Sequence, residues 1–230
     1  MVFGAILAGG TGTRMGLDKP KQFLMLGSRP IIIHTIEKFV LSQDIDEIYV
    51  GVHPDWIDYA DDLIKKYIHT EKKVVLVSGG TDRNSTIFNI IDKIEENCGE
   101  SEEHIIVTHD SVRPFVTLRI IKENVEAARE YGACDTVVGA FDTIVVSEDG
   151  KTITEIPDRR MMFQGQTPQS FKMSMLKNLY QDLTEEEKNI LTDACKICVV
   201  RNVPVRLVEG EVSNMKITTI NDMKTAQAMI

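Results

Sequence analysis

No apolar run in this 230-residue chain approaches the roughly 18 residues that a membrane span needs. The amino terminus also lacks a basic region followed by an apolar stretch and a small-residue cleavage site. Residues 2–7 read as a strand instead, and the expectation is a soluble cytoplasmic protein with no membrane partner. Blocks of cations are missing too, and the formal net charge is -9. A phosphate backbone needs a basic face, so a nucleic-acid partner is excluded and any anionic ligand must be held locally. Cysteine is scarce: Cys98, Cys134, Cys195 and Cys198 are too scattered for a disulfide framework. Cys195 and Cys198 form a C-x-x-C, but there is no second ligand pair for zinc and no strand leading into a helix start for redox chemistry. They read as packing on one helix face. The five histidines show no ligand spacing such as H-E-x-x-H, and no repeat or low-complexity linker interrupts the chain.

What is present is ordinary for one globular domain: 43% apolar and 27% charged residues. Residues 2–7, 47–52, 74–77, 104–108 and 136–140 are short and rich in Val and Ile, as strands buried on both faces are. Between them, 31–41, 56–68, 85–96 and 118–131 space their apolar positions helically. This alternation predicts an α/β fold with a largely parallel sheet, helices on both faces, and all strand C-termini at one edge, where ligands bind. Residues 143–146 and 152–156 alternate around Ser147-Glu148-Asp149-Gly150, which predicts a protruding β-arm. An isolated hairpin is marginal in water, so the arm predicts a homodimer. Helices at 172–180, 191–200 and 221–230 and a strand at 205–208 complete the expectation.

Three polar loops converge on the ligand edge. The first is Ala8-Gly9-Gly10-Thr11-Gly12-Thr13-Arg14-Met15-Gly16, followed by Lys19-Pro20-Lys21-Gln22. Its glycines let backbone N–H groups approach a polyphosphate, and Arg14 and Lys21 lie near enough to neutralise it. A Walker A loop would need Gly-Lys-Ser/Thr where Met15-Gly16 stands. A G-x-G-x-x-G fingerprint lacks its third glycine, and Gly51-Val52-His53 offers no ribose-binding carboxylate, which leaves dinucleotide binding as a minor alternative. The second loop, Ser78-Gly79-Gly80-Thr81-Asp82-Arg83, contains either a helix cap or ligand contacts. In the third, Asp110 is either a turn residue or the carboxylate that a polyphosphate's Mg2+ prefers. Arg113 either pairs with Asp110 or binds a second anion. Further on, Asp158-Arg159-Arg160, Gln166-Thr167-Pro168-Gln169, Thr192-Asp193 and Asn214-Met215-Lys216 would each pass singly as solvated surface, and together they suit a second phosphorylated substrate.

These residues resemble the cytidylyltransferases that act on sugar-alcohol phosphates, the family of the 2-C-methyl-D-erythritol 4-phosphate and D-ribitol-5-phosphate enzymes. The resemblance spans almost the whole chain, from Leu7-Ala8-Gly9-Gly10 and Pro20-Lys21-Gln22 through Asp82-Arg83, His109-Asp110, Asp142-Thr143 and Thr167-Pro168-Gln169 to Asn214-Met215-Lys216. The ribitol-phosphate branch is the more similar. The methylerythritol branch usually has Asp-Ala-Ala-Arg-Pro where this chain has Asp110-Ser-Val-Arg-Pro114, which makes the isoprenoid substrate the alternative. The resemblance implies a Rossmann-like three-layer nucleotidyltransferase, a single domain over 1–230 with its β-arm at about 141–165. It implies transfer of a cytidylyl group from CTP to a sugar-alcohol phosphate, here giving CDP-ribitol for cell-wall teichoic acid. Leu7, Ala8, Gly9, Gly10, Gly80, Thr81, Asp82, Arg83, Asn84, Ser85, Thr86 and Ser111 would hold CTP. Arg14 and Lys21 would stabilise the transition state, and Asp110 would bind Mg2+ or another divalent cation. Arg159 and Lys216 would orient the attacking phosphate, with Arg113, Thr143 and Thr192 as further contacts. The arm would cross to the partner, carrying Arg159 to the other subunit's site.

Overall fold

The computed structural model describes residues 1–10 and 19–230. The chain begins with β1 (Val2–Ala8), a two-residue pair β2 (Met25–Leu26) and β3 (Arg29–Pro30), and α1 (Ile31–Leu41). It then alternates: β4 (Glu47–Val52), α2 (Ile57–Tyr67), β5 (Val74–Ser78), α3 (Arg83–Cys98), β6 (Ile105–Asp110), α4 (Leu118–Tyr131) and β7 (Ala133–Gly139). After the arm come β8 (Phe163–Lys172), α5 (Met173–Gln181), α6 (Glu185–Asn189), α7 (Ala194–Val200), β9 (Arg206–Glu209) and α8 (Ile220–Gln227).

The seven long strands form one sheet in the order β5-β4-β1-β6-β8-β7-β9. Only β8 runs against the rest, pairing antiparallel with β6 and β7. Helices cover both faces because the central strands are apolar on both. Ile6, Val50 and Val107 pack with Ile33, Ile36 and Phe39 of α1, Leu63 of α2 and Ile121 and Val125 of α4. On the other face, Phe3, Ala5 and Ile106 pack with Ile87 and Ile91 of α3, Leu176 of α5 and Ile197 of α7. Both faces lose water, and this burial is the principal driving force for the three layers. Cys195 and Cys198 are free thiols buried in the second layer, as their helix-face reading requires. No helix among the described residues is long and apolar enough to cross a membrane.

Two departures from the sequence expectation matter. Residues 163–172, whose Gly, Pro and Gln content suggests surface, form buried β8; Thr167, Gln169, Ser170 and Phe171 are all buried. Position between β6 and β7 decides this, since both neighbours supply ladder hydrogen bonds that local propensity does not predict. Between Gln169 and Gly165 the register with β7 shifts, so β8 bulges at Gln166-Thr167-Pro168. The arm is the second departure: in place of two strands at 143–146 and 152–156, a single bridge joins Val146 to Glu155. Its turn does form, with Gly150 at φ +68° and Asp149 accepting from the amides of Lys151 and Thr152 at 2.8 and 2.7 Å.

Candidate active site

At the C-terminal edge of the parallel strands lies a cavity of about 510 Å3, lined from three directions by the loops after β1, β5 and β6. The first loop is pinned from below. Gln22 Nε2 donates to the carbonyls of Ala8 and Gly10, both at 2.9 Å, which ties residues 8–10 to the short turn Lys21–Phe23 and sets Lys21 in the cavity wall. The second loop is organised by the start of α3. Asp82 Oδ1 accepts from the Ser85 amide at 2.8 Å while Ser85 Oγ accepts from the Asp82 amide at 2.9 Å, a reciprocal cap. Thr86 Oγ1 donates to the Asp82 carbonyl at 2.8 Å and accepts from the Gly80 amide at 3.0 Å. A Cβ at Gly80 would stand 2.9 Å from the Ser85 carbonyl carbon, so the turn requires glycine.

Asp110, the last residue of β6, is the electrostatic centre. Its carboxylate faces Lys216 Nζ at 2.9 Å, Arg113 Nε at 3.4 Å and Arg83 Nε at 3.5 Å. Burial alone would raise this carboxyl, but the combined field of Arg83, Lys216 and Arg113 overcomes it and holds Asp110 well below the usual carboxylate range. Two of the three cations are themselves anchored. Arg113 Nη1 donates to the Asn214 carbonyl at 2.8 Å, and Asn214 Nδ2 donates to the Thr167 carbonyl at 2.8 Å, fixing the segment that carries Lys216 against the β8 bulge. Arg83 Nη1 and Nη2 are buried and find no acceptor among the described residues. Donors left in that state await an anion's oxygens.

Beneath Asp110 a buried relay fixes its backbone. Burial lowers His109 to about 4, so the imidazole is neutral. Its Nε2 lies 3.0 Å from the Arg113 carbonyl, which only accepts, so Nε2 carries the proton. The bare Nδ1 then accepts from Thr167 Oγ1 at 2.9 Å, and that hydroxyl accepts from the Asp110 amide at 3.1 Å.

The sequence of residues 2–230 matches the family described as IspD, 2-C-methyl-D-erythritol 4-phosphate cytidylyltransferase. The chain belongs to the IspD family. It is 54% identical, over 100% of its own length and 99% of theirs, to proteins named ribitol-5-phosphate cytidylyltransferase from Streptococcus pneumoniae serotype 2 (strain D39 / NCTC 7466) and serotype 4 (strain ATCC BAA-334 / TIGR4). The crystal structure of 4-diphosphocytidyl-2C-methyl-D-erythritol synthase from Anaerococcus prevotii DSM 20548 superposes with a TM-score of 0.82 at 25% identity, covering 100% of this chain and 95% of that one.

The cavity gathers many of the residues that the sequence singled out. Of the residues expected to hold CTP, it is lined by Leu7, Ala8, Gly9, Gly10, Gly80, Thr81, Asp82, Arg83, Thr86 and Ser111; Asn84 and Ser85 lie outside its lining. Ser85 spends its hydroxyl on the α3 cap. Lys21, Asp110 and Lys216 share the same wall. Arg113 reaches it through Asp110. Arg14 lies outside the described residues. Thr143 and Arg159 sit on the exposed arm, where Arg159 Nη1 donates to the Phe141 carbonyl at 2.6 Å, and neither lines the cavity. Thr192 is exposed beside the α7 cap residue Asp193. Sequence reasoning assigned no role to Gln22, Thr218 or the His109–Thr167 relay. Gln22 was detectable through its place beside Lys21; the relay was not, because it joins residues 58 apart in sequence.

A divalent cation fits here as a guest of the nucleotide. Mg2+ needs one or two carboxylates plus phosphate oxygens and water. Asp110 supplies an ionised carboxylate in the cavity wall, and no group of three or more metal-ligating side chains exists among the described residues.

Proposed function

We propose that the protein transfers the cytidylyl group of CTP to D-ribitol 5-phosphate, releasing pyrophosphate and forming CDP-ribitol. The observation that carries this reading is the meeting, in one cavity, of a glycine-lined loop and Lys21 with Arg83 and Lys216 around Asp110. The full-length relatives in S. pneumoniae support ribitol 5-phosphate as the acceptor.

The triphosphate lies along Leu7–Gly10 and the turn from Gly80 to Thr86, with Lys21 beside the α-phosphorus. A phosphate oxygen of the acceptor, held by Lys216 and Arg113, forms a bond to that phosphorus as the bond to the β-phosphate oxygen breaks, and its electron pair leaves with pyrophosphate. The nucleophile is already anionic, so no general base is required. Catalysis consists of placing two polyanions in line and neutralising the charge that builds up between them. Mg2+ on Asp110 would add charge neutralisation at the triphosphate.

The arm supports a homodimer. Phe141, Ile153, Ile156, Met161 and Phe163 are at least half exposed on it. At its base an apolar groove is lined by Val137, Phe141, Phe163, Leu207 and Val212. Such surface is what an exchanged arm would cover. Arg159 and Thr143 then serve the partner's cavity.

The deciding assay is pyrophosphate release from CTP. It should require ribitol 5-phosphate; release with 2-C-methyl-D-erythritol 4-phosphate alone would transfer the proposal to the isoprenoid substrate.

A further inference from the structure

Close to the phosphate-gripping cations the charge changes sign. Asp135 of β7 and Gln169 of β8 oppose each other in the ladder, immediately before the bulge. Gln169 Nε2 donates to Asp193 Oδ2 at 3.2 Å, and the Gln169 side chain also stabilises the ionised Asp135 carboxyl. One amide therefore lies between two carboxylates. Asp193 is held rigidly, since its Oδ1 accepts from the Lys196 amide at 3.0 Å. Acceptors in this cluster outnumber donors. Asp135 Oδ1 and Gln169 Oε1 are buried with no donor among the described residues, although Gln169 is only 2% exposed. Asp135 lies within the field of both Arg83 and Arg113.

Buried polar atoms in that state are costly unless a ligand completes them. The missing partner must donate to Gln169 and to the ionised Asp135, and carry no negative charge that the carboxylates would repel. Vicinal hydroxyls meet both conditions, because each is an uncharged donor. The exposed Gly165 borders the cluster: a Cβ there would stand 3.5 Å from Asp135 Oδ2. Burial, with repulsion from Asp193, pushes Asp135 up to about 7 against the opposing effects of Gln169, Arg83 and Arg113, which is the mark of an undersolvated carboxyl.

We propose that Asp135, Gln169 and Asp193 form a subsite that reads the hydroxyl groups of the acceptor and thereby selects a polyol phosphate. The inference rests on the ribitol 5-phosphate reading. It makes the site bipolar: the acceptor's phosphate goes to Lys216 and Arg113, and its polyol tail goes to the carboxylates. An acceptor with a methyl group in place of a polyol hydrogen presents apolar surface to this cluster and is disfavoured.

The test compares the wild type with Asp135→Asn, Asp135→Ala and Asp193→Asn, the last of which retains a helix-capping side chain. Pyrophosphate release is measured with ribitol 5-phosphate, 2-C-methyl-D-erythritol 4-phosphate and pentyl phosphate, a hydroxyl-free acceptor of equal length. Losing a hydrogen bond to a charged group should raise KM for ribitol 5-phosphate about 10- to 100-fold in Asp135→Ala. KM for CTP should stay unchanged, and the preference over pentyl phosphate should fall by the same factor. A merely structural role would move both KM values, or neither. Unchanged KM and unchanged preference in folded Asp135→Ala and Asp193→Asn overturn the subsite alone. Failure of the wild type to use ribitol 5-phosphate overturns the functional reading together with it.

Discussion

Lys21 stands in the cavity wall because Gln22, its neighbour, is locked onto the carbonyls of Ala8 and Gly10. The lysine is therefore placed by the loop it serves, and removing its side chain leaves that lock intact. Lys21→Ala should fold normally and lose about 10²- to 10³-fold in kcat, the usual cost of deleting one transition-state contact; circular dichroism and initial rates check the two halves separately. Asp135 illustrates the opposite balance between fold and function. An unfolded Asp ionises near about 3.9, whereas in the folded protein this carboxyl is pushed up to about 7. Between those values the unfolded chain has released a proton that the folded one keeps, so stability falls as pH rises from about 4 to 7 and levels off above. Asp135→Asn removes that dependence. Its melting temperature should exceed the wild type's by a margin that grows across this window; a margin independent of pH would refute the burial account.

The glycine turn and α3 act as one element. The Asp82–Ser85 reciprocal cap starts the helix, and Thr86 extends the same hydrogen bonding to the Gly80 amide in the cavity wall. Asp82→Ala should cost about 1 kcal/mol of stability. It should also raise KM for CTP, because the loop geometry depends on that cap. Denaturant titration and CTP saturation curves measure the two effects, and a stability loss with an unaltered KM would separate the cap from the site. This element was legible in the sequence because glycines, an acid and an apolar helix face follow one another locally; the same holds for α1 and α4, whose bounds match the periodicity at 31–41 and 118–131. β8 was not legible. Gln164 to Gln169 carry no β-forming pattern, and the strand is held by its pairing with β6 on one side and β7 on the other, antiparallel to both. The site divides in the same way. Asp110, Lys21 and Lys216 follow from motifs, while the relay through Thr167 and the Asp135–Gln169–Asp193 cluster follow from β8.

At the scale of the whole molecule, two of the residues expected to serve the cavity lie on the arm, away from its lining. Arg159 and Thr143 project on an arm that holds only one bridge of β structure and exposes Ile153 and Ile156 by 58% and 61%. In the proposed homodimer such an arm gains order by packing on the second copy, whose own arm supplies Arg159 and Thr143 in return. Subunit mixing tests this directly. Lys21→Ala and Arg159→Ala are each expected to be nearly inactive as homodimers. In a heterodimer, one cavity combines both defects, but the other combines an intact Lys21 with the intact Arg159 of the opposite arm. Unfolding and refolding an equimolar mixture should therefore restore about a quarter of wild-type turnover, since random pairing makes about half the dimers mixed and half of their sites complete. Arg159 acting within its own subunit would restore none, because every cavity would still carry one of the two defects.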